Sequence, residues 1–228
     1  MPEARRRFHD LLGDVEEDLL EMGQAARDLF GQSVTALRDP TLSEAVIAGD
    51  DRVDRYYMGI ERQVLQLFAL QGPVACDLRL LTVLLHISLH LERVADMGVN
   101  IAKIAQLTRD LPRLEPVLDR LEEMGGMALG LLDAARDALA RRDLELARRL
   151  NLMDEPIDRL NRGMLNEVLQ ADGEGDDVLR WAVEMHLASR LIERVGDHAV
   201  DIGEQVAYLV TGEFQEFTDA SHPPAIAG

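Results

Sequence analysis

An acidic pattern that occurs twice is the feature that most constrains how this chain folds. Residues 91–97 read LERVADM and residues 192–198 read IERVGDH, and both segments carry Glu and Asp four positions apart. On an α-helix this spacing places both carboxylates on one face, one turn apart, where like charges repel. A chain that keeps this unfavourable pattern in two copies is expected to hold a positive ion beside it.

Each acidic pattern continues one turn further, and a second acidic pair lies about forty residues upstream of it. The same spacing in both halves therefore defines two comparable groups of oxygen ligands, on helices that we expect to be neighbours. The candidate metal ligands are Asp50, Asp54, Glu92, Asp96 and Asn100 in the first half, and Asp154, Asp158, Glu193, Asp197 and Asp201 in the second.

The second half of the chain repeats the first. Residues 88–100 map onto residues 189–201 with an offset of 101 positions, and the upstream acidic pairs map with an offset of 104 positions. Self-similarity of this kind marks a duplicated unit. Apolar residues recur at helical spacing nearly throughout, and β-branched runs are absent. We therefore predict an all-α fold made of two tandem, pseudo-symmetric three-helix bundles.

Proline and glycine residues divide the chain into six predicted helices. The helical pattern is interrupted at residues 38–40, at residues 71–73 and over residues 108–116, which carry two prolines. We expect Thr41 or Ser43 to cap the second helix. The predicted helices cover about residues 3–37, 41–70, 74–107, 117–140, 144–170 and 177–210.

These breaks also set the expected domain limits. We predict the first bundle within residues 1–110 and the second within residues 111–213. The DGEGDD segment at residues 172–177 is expected to form a loop. Residues 214–228 are expected to form a disordered tail.

Charge and apolar patterning narrow the class of protein. The 228 residues carry a formal net charge of −18. This charge opposes binding to nucleic acid, which needs a basic surface, and favours cations or basic protein surfaces as partners. The single cysteine, Cys76, cannot form an internal disulfide and is expected to be buried. The longest apolar stretch, residues 80–91, is too short to span a bilayer, and no signal peptide is evident, so we expect a cytoplasmic protein.

The acids are predicted to lie at the edge of an apolar stripe. At about 100° of rotation per residue, Leu85 and Val99 share the helix face of Glu92. A partly buried carboxylate pairs with arginine, takes up a proton or coordinates a metal. Arg93 and Arg194 follow the two glutamates directly. Because adjacent residues do not face each other on a helix, we expect these arginines to serve other partners.

A ligand set made only of oxygen atoms favours hard cations. Iron, magnesium, manganese and calcium fit such a set, and several carboxylates in one place favour more than one ion. Zinc usually takes His or Cys and is less natural here. His186 shares the face of Glu193 and is interpreted as an additional ligand or, more simply, a core histidine. His86, His90 and His198 are expected to lie off the acidic face.

Several segments together resemble the PhoU family of bacterial phosphate-transport regulators. The resemblance extends over about residues 3–213. It is carried by GDDRVDRYYMGIERQVL, PVACDLRLL, HLERVADMGVNIAKIA and LIERVGDHAVDIGEQVAYLVTGE, in that order along the chain.

The resemblance implies two three-helix bundles with multinuclear metal clusters on the acidic motifs. By motif, Asp50, Asp54, Glu92 and Asp96 would serve one cluster, and Asp154, Asp158, Glu193, Asp197 and Asp201 the other. Asn100 would lend an oxygen atom but no charge.

The resemblance also implies a negative regulator of phosphate uptake and phosphate-starvation signalling, without enzymatic activity. Such a protein acts between the ATPase subunit of the phosphate ABC transporter and a membrane sensor histidine kinase. It would lie at the inner face of the membrane through these partners. Similar proteins form homodimers, so a homodimer is a further expectation.

Two other functions stay open on the residues alone. One is a metal-free helical scaffold whose acids are paired with arginines. The other is a phosphohydrolase that uses two metal ions and binds its substrate through nearby bases. The bases available for that role are Arg79, Arg93, Arg180 and Arg194.

Overall fold

Long helices form where the apolar periodicity predicts them. The computed structural model of the protein describes residues 3–170 and 175–217, and within these ranges there are six long helices and no strand. The predicted all-α fold is confirmed. The helices are α1 Glu3–Arg38, α2 Ser43–Gln71, α3 Cys76–Leu107, α4 Glu115–Arg141, α5 Leu144–Gln170 and α6 Asp176–Thr211.

Each half of the chain packs as a bundle of three helices. In the first half α1, α2 and α3 contact one another in every pair, and in the second half α4, α5 and α6 do the same. The halves meet where α3 packs on α6 and α1 packs on α4. The predicted pair of tandem three-helix bundles is therefore confirmed, and the two helices that carry the Glu-x-x-x-Asp pattern lie side by side.

The start of α2 differs from the prediction. A short 3-10 turn, Pro40–Leu42, precedes the helix, and its cap is Asp39, whose Oδ1 accepts a hydrogen bond from the Thr41 N–H at 3.1 Å. Leu42 stands at the cap position of α2 and provides no side-chain hydrogen bond. The expectation that Thr41 or Ser43 caps α2 is therefore wrong. The capping side chain is that of Asp39, and it caps the 3-10 turn that precedes α2.

Cys76 departs from expectation. It is exposed rather than buried, because it is the first residue of α3 and lies beyond the packed part of the bundle.

The helix predicted over residues 144–170 is confirmed as α5, which continues through Pro156. This proline has no N–H to donate to the preceding turn, so it weakens α5 locally between Asp154 and Asp158.

The segment after α6 folds back onto the second half. Phe217 donates its backbone N–H to Glu204 Oε1 at 2.6 Å, and Asn151 Nδ2 donates to the Phe217 carbonyl at 3.2 Å. Phe217, which lies within the predicted disordered tail, is therefore held against α5 and α6. Residues 218–228 lie outside the described residues, as do residues 171–174, which include part of the predicted DGEGDD loop.

The length and hydrophobicity of each helix decide whether it could cross a membrane. Among the described residues, no helix combines the length and the apolar character that crossing a bilayer requires.

Arg79 of α3 joins the two halves at one end. Its Nη1 donates to the carbonyl oxygen of Leu209 in α6 at 3.3 Å, and its guanidinium lies 5.7 Å from the centre of the Tyr208 ring. Gly212 ends α6 with a left-handed φ of 80°, and a Cβ atom there would lie 2.8 Å from the guanidinium. Arg79 belongs to the first half and thus binds the carboxyl end of α6, which belongs to the second half.

We expect Arg79→Ala to lower the free energy of unfolding by about 1–2 kcal/mol, because it removes one hydrogen bond and one cation–π contact. Urea denaturation measures the change. Arg109→Ala is the control, since Arg109 is exposed and its ion pair is with the adjacent Asp110. The control should change stability by less than about 0.5 kcal/mol. Equal losses in the two variants would contradict the bridging role of Arg79.

Candidate metal centre

The acids of the second half converge between α5 and α6. Carboxylate oxygens of Asp154, Asp158 and Asp197 all lie within 4.8 Å of one another. Hard cations hold oxygen ligands at about 2.0–2.6 Å, so two ligands of one ion are at most about 4–5 Å apart. The spacing of these three side chains fits one shared hard cation.

Asp154 is the most buried member of this group. It is 7% exposed, and its Oδ1 is buried with no hydrogen-bond partner among the described residues. Burial, and then the charges of Asp158, Asp197 and Glu193, raise the pKa of Asp154 to about 7. A buried carboxylate without a donor is costly unless a proton or a cation compensates it, so this atom marks the centre of the candidate site.

Gly196 is the reason that Asp154 can reach this position. A Cβ atom at residue 196 would collide with Oδ1 of Asp154 and would lie 3.2 Å from its carboxyl carbon. The missing side chain of Gly196 therefore leaves on α6 the space that the carboxylate of α5 occupies. In the first half the offset of 101 positions places Ala95, which has a Cβ atom, at the equivalent point.

The acids of the first half form a looser group between α2 and α3. Burial and the charges of Asp54 and Asp96 raise the pKa of Asp50, and burial and the charge of Asp96 raise the pKa of Glu92. Glu92 Oε2 is buried and finds no hydrogen-bond partner in the described part of the chain. Across the described ranges, however, no three potential ligand atoms of this first group lie within 4.8 Å of one another. The second group is therefore the better preorganised of the two.

Arginines at the rim neutralise part of the charge. Arg93 reaches Asp96 at 3.0 Å and Glu92 at 3.4 Å, so the expectation that it serves other partners is wrong. Arg93 and Asp96 are three positions apart, a spacing at which side chains on one helix meet. The arginines that pair with the acids of the second half are more than half exposed, as Arg93 is in the first half. Their contacts are Arg190 with Glu193 and Arg162 with Asp158, each at 3.6 Å. Such exposed pairs are weak and leave room for an ion.

The last residue of the acidic pattern has different surroundings in the two halves. Asn100 is exposed on α3, one turn beyond Asp96. Asp201 faces two histidines, because its Oδ2 lies 3.4 Å from Nδ1 of His90 and 3.4 Å from Nδ1 of His198. It also lies close enough to Asp197 to raise the pKa of that residue, after the larger effects of burial and Asp158.

The meeting of the two histidines was not predicted. His90 is on α3 and His198 is on α6, and by the offset of 101 positions they align with Leu191 and Met97. The two histidines therefore do not occupy equivalent positions in the two copies, and only the packing of α3 on α6 brings them together. His186, which the sequence left between two interpretations, is half-buried. Its Nδ1 is buried and has no hydrogen-bond partner within residues 3–170 and 175–217.

Fold and site together define a class of protein: a duplicated three-helix unit with an acidic group at the same place in each copy. The profile of the PhoU domain matches this chain twice, over residues 19–105 and 121–206, which is once in each half. The chain belongs to the PhoU family, as its resemblance predicted.

Individual relatives agree with this membership over almost the whole chain. A Caulobacter vibrioides protein named phosphate-specific transport system accessory protein PhoU homolog is 30% identical, with 91% of each chain covered. A Synechocystis protein of the same name is 32% identical, with 92% of this chain and 93% of the relative covered. The crystal structure of PhoU from Pseudomonas aeruginosa superposes with a TM-score of 0.84 at 29% identity, covering 90% of this chain and 100% of that one.

Proposed function

We propose that the protein is an accessory protein of phosphate transport that restrains phosphate uptake and phosphate-starvation signalling. Membership of the PhoU family in both halves is the observation that carries this proposal. The names of the Caulobacter and Synechocystis relatives, which are accessory proteins of the phosphate-specific transport system, support it. Those names describe an accessory component, which favours a regulatory role over the phosphohydrolase alternative.

The acidic groups are proposed to hold hard cations, with iron, magnesium and manganese the best fits. Asp154, Asp158, Glu193 and Asp197 would hold the ions of the second half, while Asp201, predicted with them, faces His90 and His198. Asp50, Asp54, Glu92 and Asp96 would hold those of the first half, where Asn100 would add a neutral oxygen. The donor set is all oxygen, and the unpartnered Oδ1 of Asp154 supports an ion in the second group. Bound ions would neutralise repelling carboxylates and fix α5 against α6 and α2 against α3.

The partners are proposed to be the ATPase subunit of the phosphate ABC transporter and the membrane sensor histidine kinase. Binding to them would place the protein at the inner face of the membrane. The net charge of −18 favours basic surfaces on these partners and speeds their encounter. In this arrangement the ions set the relative position of the helices, and the partners bind the surface that results.

Capture of the two partners on immobilised protein tests this proposal. We expect Asp154→Asn/Asp158→Asn to lose metal, measured by elemental analysis, and to bind the ATPase subunit and the kinase at least about tenfold more weakly. Glu145→Gln/Glu155→Gln is the matched control. It also removes two charges from α5, but from side chains that are 85% and 54% exposed.

The control separates the ions from the net charge. If both double variants weaken capture equally, overall charge alone explains the binding. Full capture by a folded Asp154→Asn/Asp158→Asn protein that has lost its metal would contradict the role of the ions. Elemental analysis that finds no metal in wild-type protein prepared without chelator would favour the metal-free scaffold.

A further inference from the structure

A second group of potential ligands lies where α3 packs on α6. Its members are Nδ1 of His90, Nδ1 of His198 and Oδ2 of Asp201. The two nitrogens are 3.1 Å apart, and each is 3.4 Å from the same carboxylate oxygen. Three single atoms, contributed by both halves of the molecule, therefore form a nearly equilateral triangle.

The size of the triangle matches the coordination sphere of a transition metal. Zinc holds imidazole nitrogen and carboxylate oxygen at about 2.0–2.1 Å in tetrahedral geometry, so two of its ligands are about 3.3 Å apart. The three observed separations, 3.1, 3.4 and 3.4 Å, lie on both sides of that value. One ion near the centre of the triangle would reach all three atoms without movement of either helix.

Hydrogen bonding explains this arrangement less well. A neutral imidazole has one donor nitrogen and one acceptor nitrogen, so only one Nδ1 of the pair can donate to the other. The separations of 3.4 Å between nitrogen and oxygen are longer than the usual 2.7–3.2 Å of an N–H···O bond. One hydrogen bond between the two Nδ1 atoms therefore accounts for the 3.1 Å contact but not for the position of Oδ2 of Asp201 at equal distance from both nitrogens.

The surroundings suit a bound ion. The side chains of His90 and His198 are 21% and 19% exposed, which limits competition from water, and Asp201 is 41% exposed, which leaves a path for entry. Imidazole nitrogen is a common metal ligand in proteins.

We propose that His90, His198 and Asp201 bind one borderline transition-metal ion, with Zn²⁺ as the reference, which links α3 to α6 across the boundary between the halves. The site differs from the acidic groups in its ligand chemistry, because imidazole selects zinc, copper or nickel where carboxylates alone select harder ions. Asp201 belongs to this site instead of the second acidic group. Three protein ligands leave a fourth position open to solvent or to an exchangeable group.

Copper provides the test, because Cu²⁺ reports its nitrogen ligands by electron paramagnetic resonance. Untagged, full-length protein with one equivalent of Cu²⁺ is expected to show coupling to two imidazole nitrogens. His90→Ala and His198→Ala should each remove that two-nitrogen signal. Loss of a second-shell partner alone weakens a metal site by about 10- to 100-fold, so each variant should bind Zn²⁺ about 100-fold more weakly or worse.

His86→Ala is the matched control. His86 is on the same helix as His90, but its Nδ1 faces Gln205 Oε1 at 3.2 Å and lies outside the triangle. The two-nitrogen signal should persist in this control. It should also persist in Asp154→Asn/Asp158→Asn, so that failure of the acidic groups to bind metal is distinguished from failure of this site.

Two results would overturn the proposal. One is a Cu²⁺ spectrum of the wild-type protein that shows fewer than two nitrogen ligands, which needs no variant and does not depend on how the variants fold. The other is Zn²⁺ affinity in folded His90→Ala and His198→Ala that equals the wild-type affinity. Circular dichroism establishes that the variants are folded.

Discussion

Asp154→Asn is expected to make the metal-free protein more stable at pH 8 and to lose that advantage when Mn²⁺ is added. In the wild-type protein a carboxylate with a pKa near 7 is charged at pH 8, beside Asp158, Asp197 and Glu193. The rise from 3.8 corresponds to a cost of up to about 4 kcal/mol. The buried amide carries a cost of its own, so we expect a net gain of about 1–3 kcal/mol in chelator.

The pH dependence of this effect has a defined sign. The pKa of Asp154 is higher in the folded state than in the unfolded state, so folding favours the protonated form. The stabilisation from the protonated form is fully present below about pH 4 and is lost as the pH rises to about 7. Urea denaturation of wild type and Asp154→Asn in chelator should therefore show a stability difference that grows over this interval.

A matched carboxylate provides the control for Asp154. Glu145→Gln changes an exposed acid on the same helix, so it should leave stability within about 0.5 kcal/mol of wild type at every pH. Mn²⁺ should stabilise the wild type and Glu145→Gln alike, and Asp154→Asn much less. A stability difference that is independent of both pH and Mn²⁺ would contradict the burial of an uncompensated charge at residue 154.

Gly196→Ala is expected to destabilise the protein by about 2–3 kcal/mol, because the new methyl group needs the space that the Asp154 carboxylate occupies. Gly130→Ala provides a control of opposite sign. Gly130 lies inside α4 with open space around it, so alanine there should stabilise the helix by about 1 kcal/mol. Thermal or urea denaturation in chelator measures both changes.

A double variant identifies the colliding atoms. When Asp154 is first shortened to alanine, the nearest remaining side-chain atom to a methyl group at residue 196 is Cδ1 of Ile157 at 3.5 Å, an ordinary contact. Gly196→Ala should then cost less than about 0.5 kcal/mol in the Asp154→Ala background. If Gly196→Ala lowers stability equally in both backgrounds, the new methyl group does not collide with the Asp154 carboxylate.

The helices could be predicted closely from the sequence because their boundaries depend on local chemistry. Apolar periodicity, prolines and glycines placed α3 within two residues of its observed start and at its observed end. The grouping of Asp154, Asp158 and Asp197 also follows from simple rules, since residues four positions apart share a helix face and consecutive helices of a three-helix bundle pack side by side. Occupancy of either acidic group by metal stays a prediction.

The features that were missed depend on distances between helices. Ala95 and Gly196 are similar small residues in the two copies, and only the packed structure shows that the Asp154 carboxylate occupies the space beside Gly196. The contact of His90 with His198 crosses the boundary between halves, and neither residue has a histidine at its repeat-related position. Patterns along one helix carry no information of either kind.

The packing of α3 on α6 makes the two copies dependent on each other. A chain severed in the connection between α3 and α4 would leave each fragment with a bare strip of aliphatic side chains that its former neighbour had covered. Such a fragment would precipitate or would have to pair with another of its kind. Because the two copies are joined in one chain, each is present at a high effective concentration for the other. The apolar surface between them is therefore buried without an encounter of separate chains.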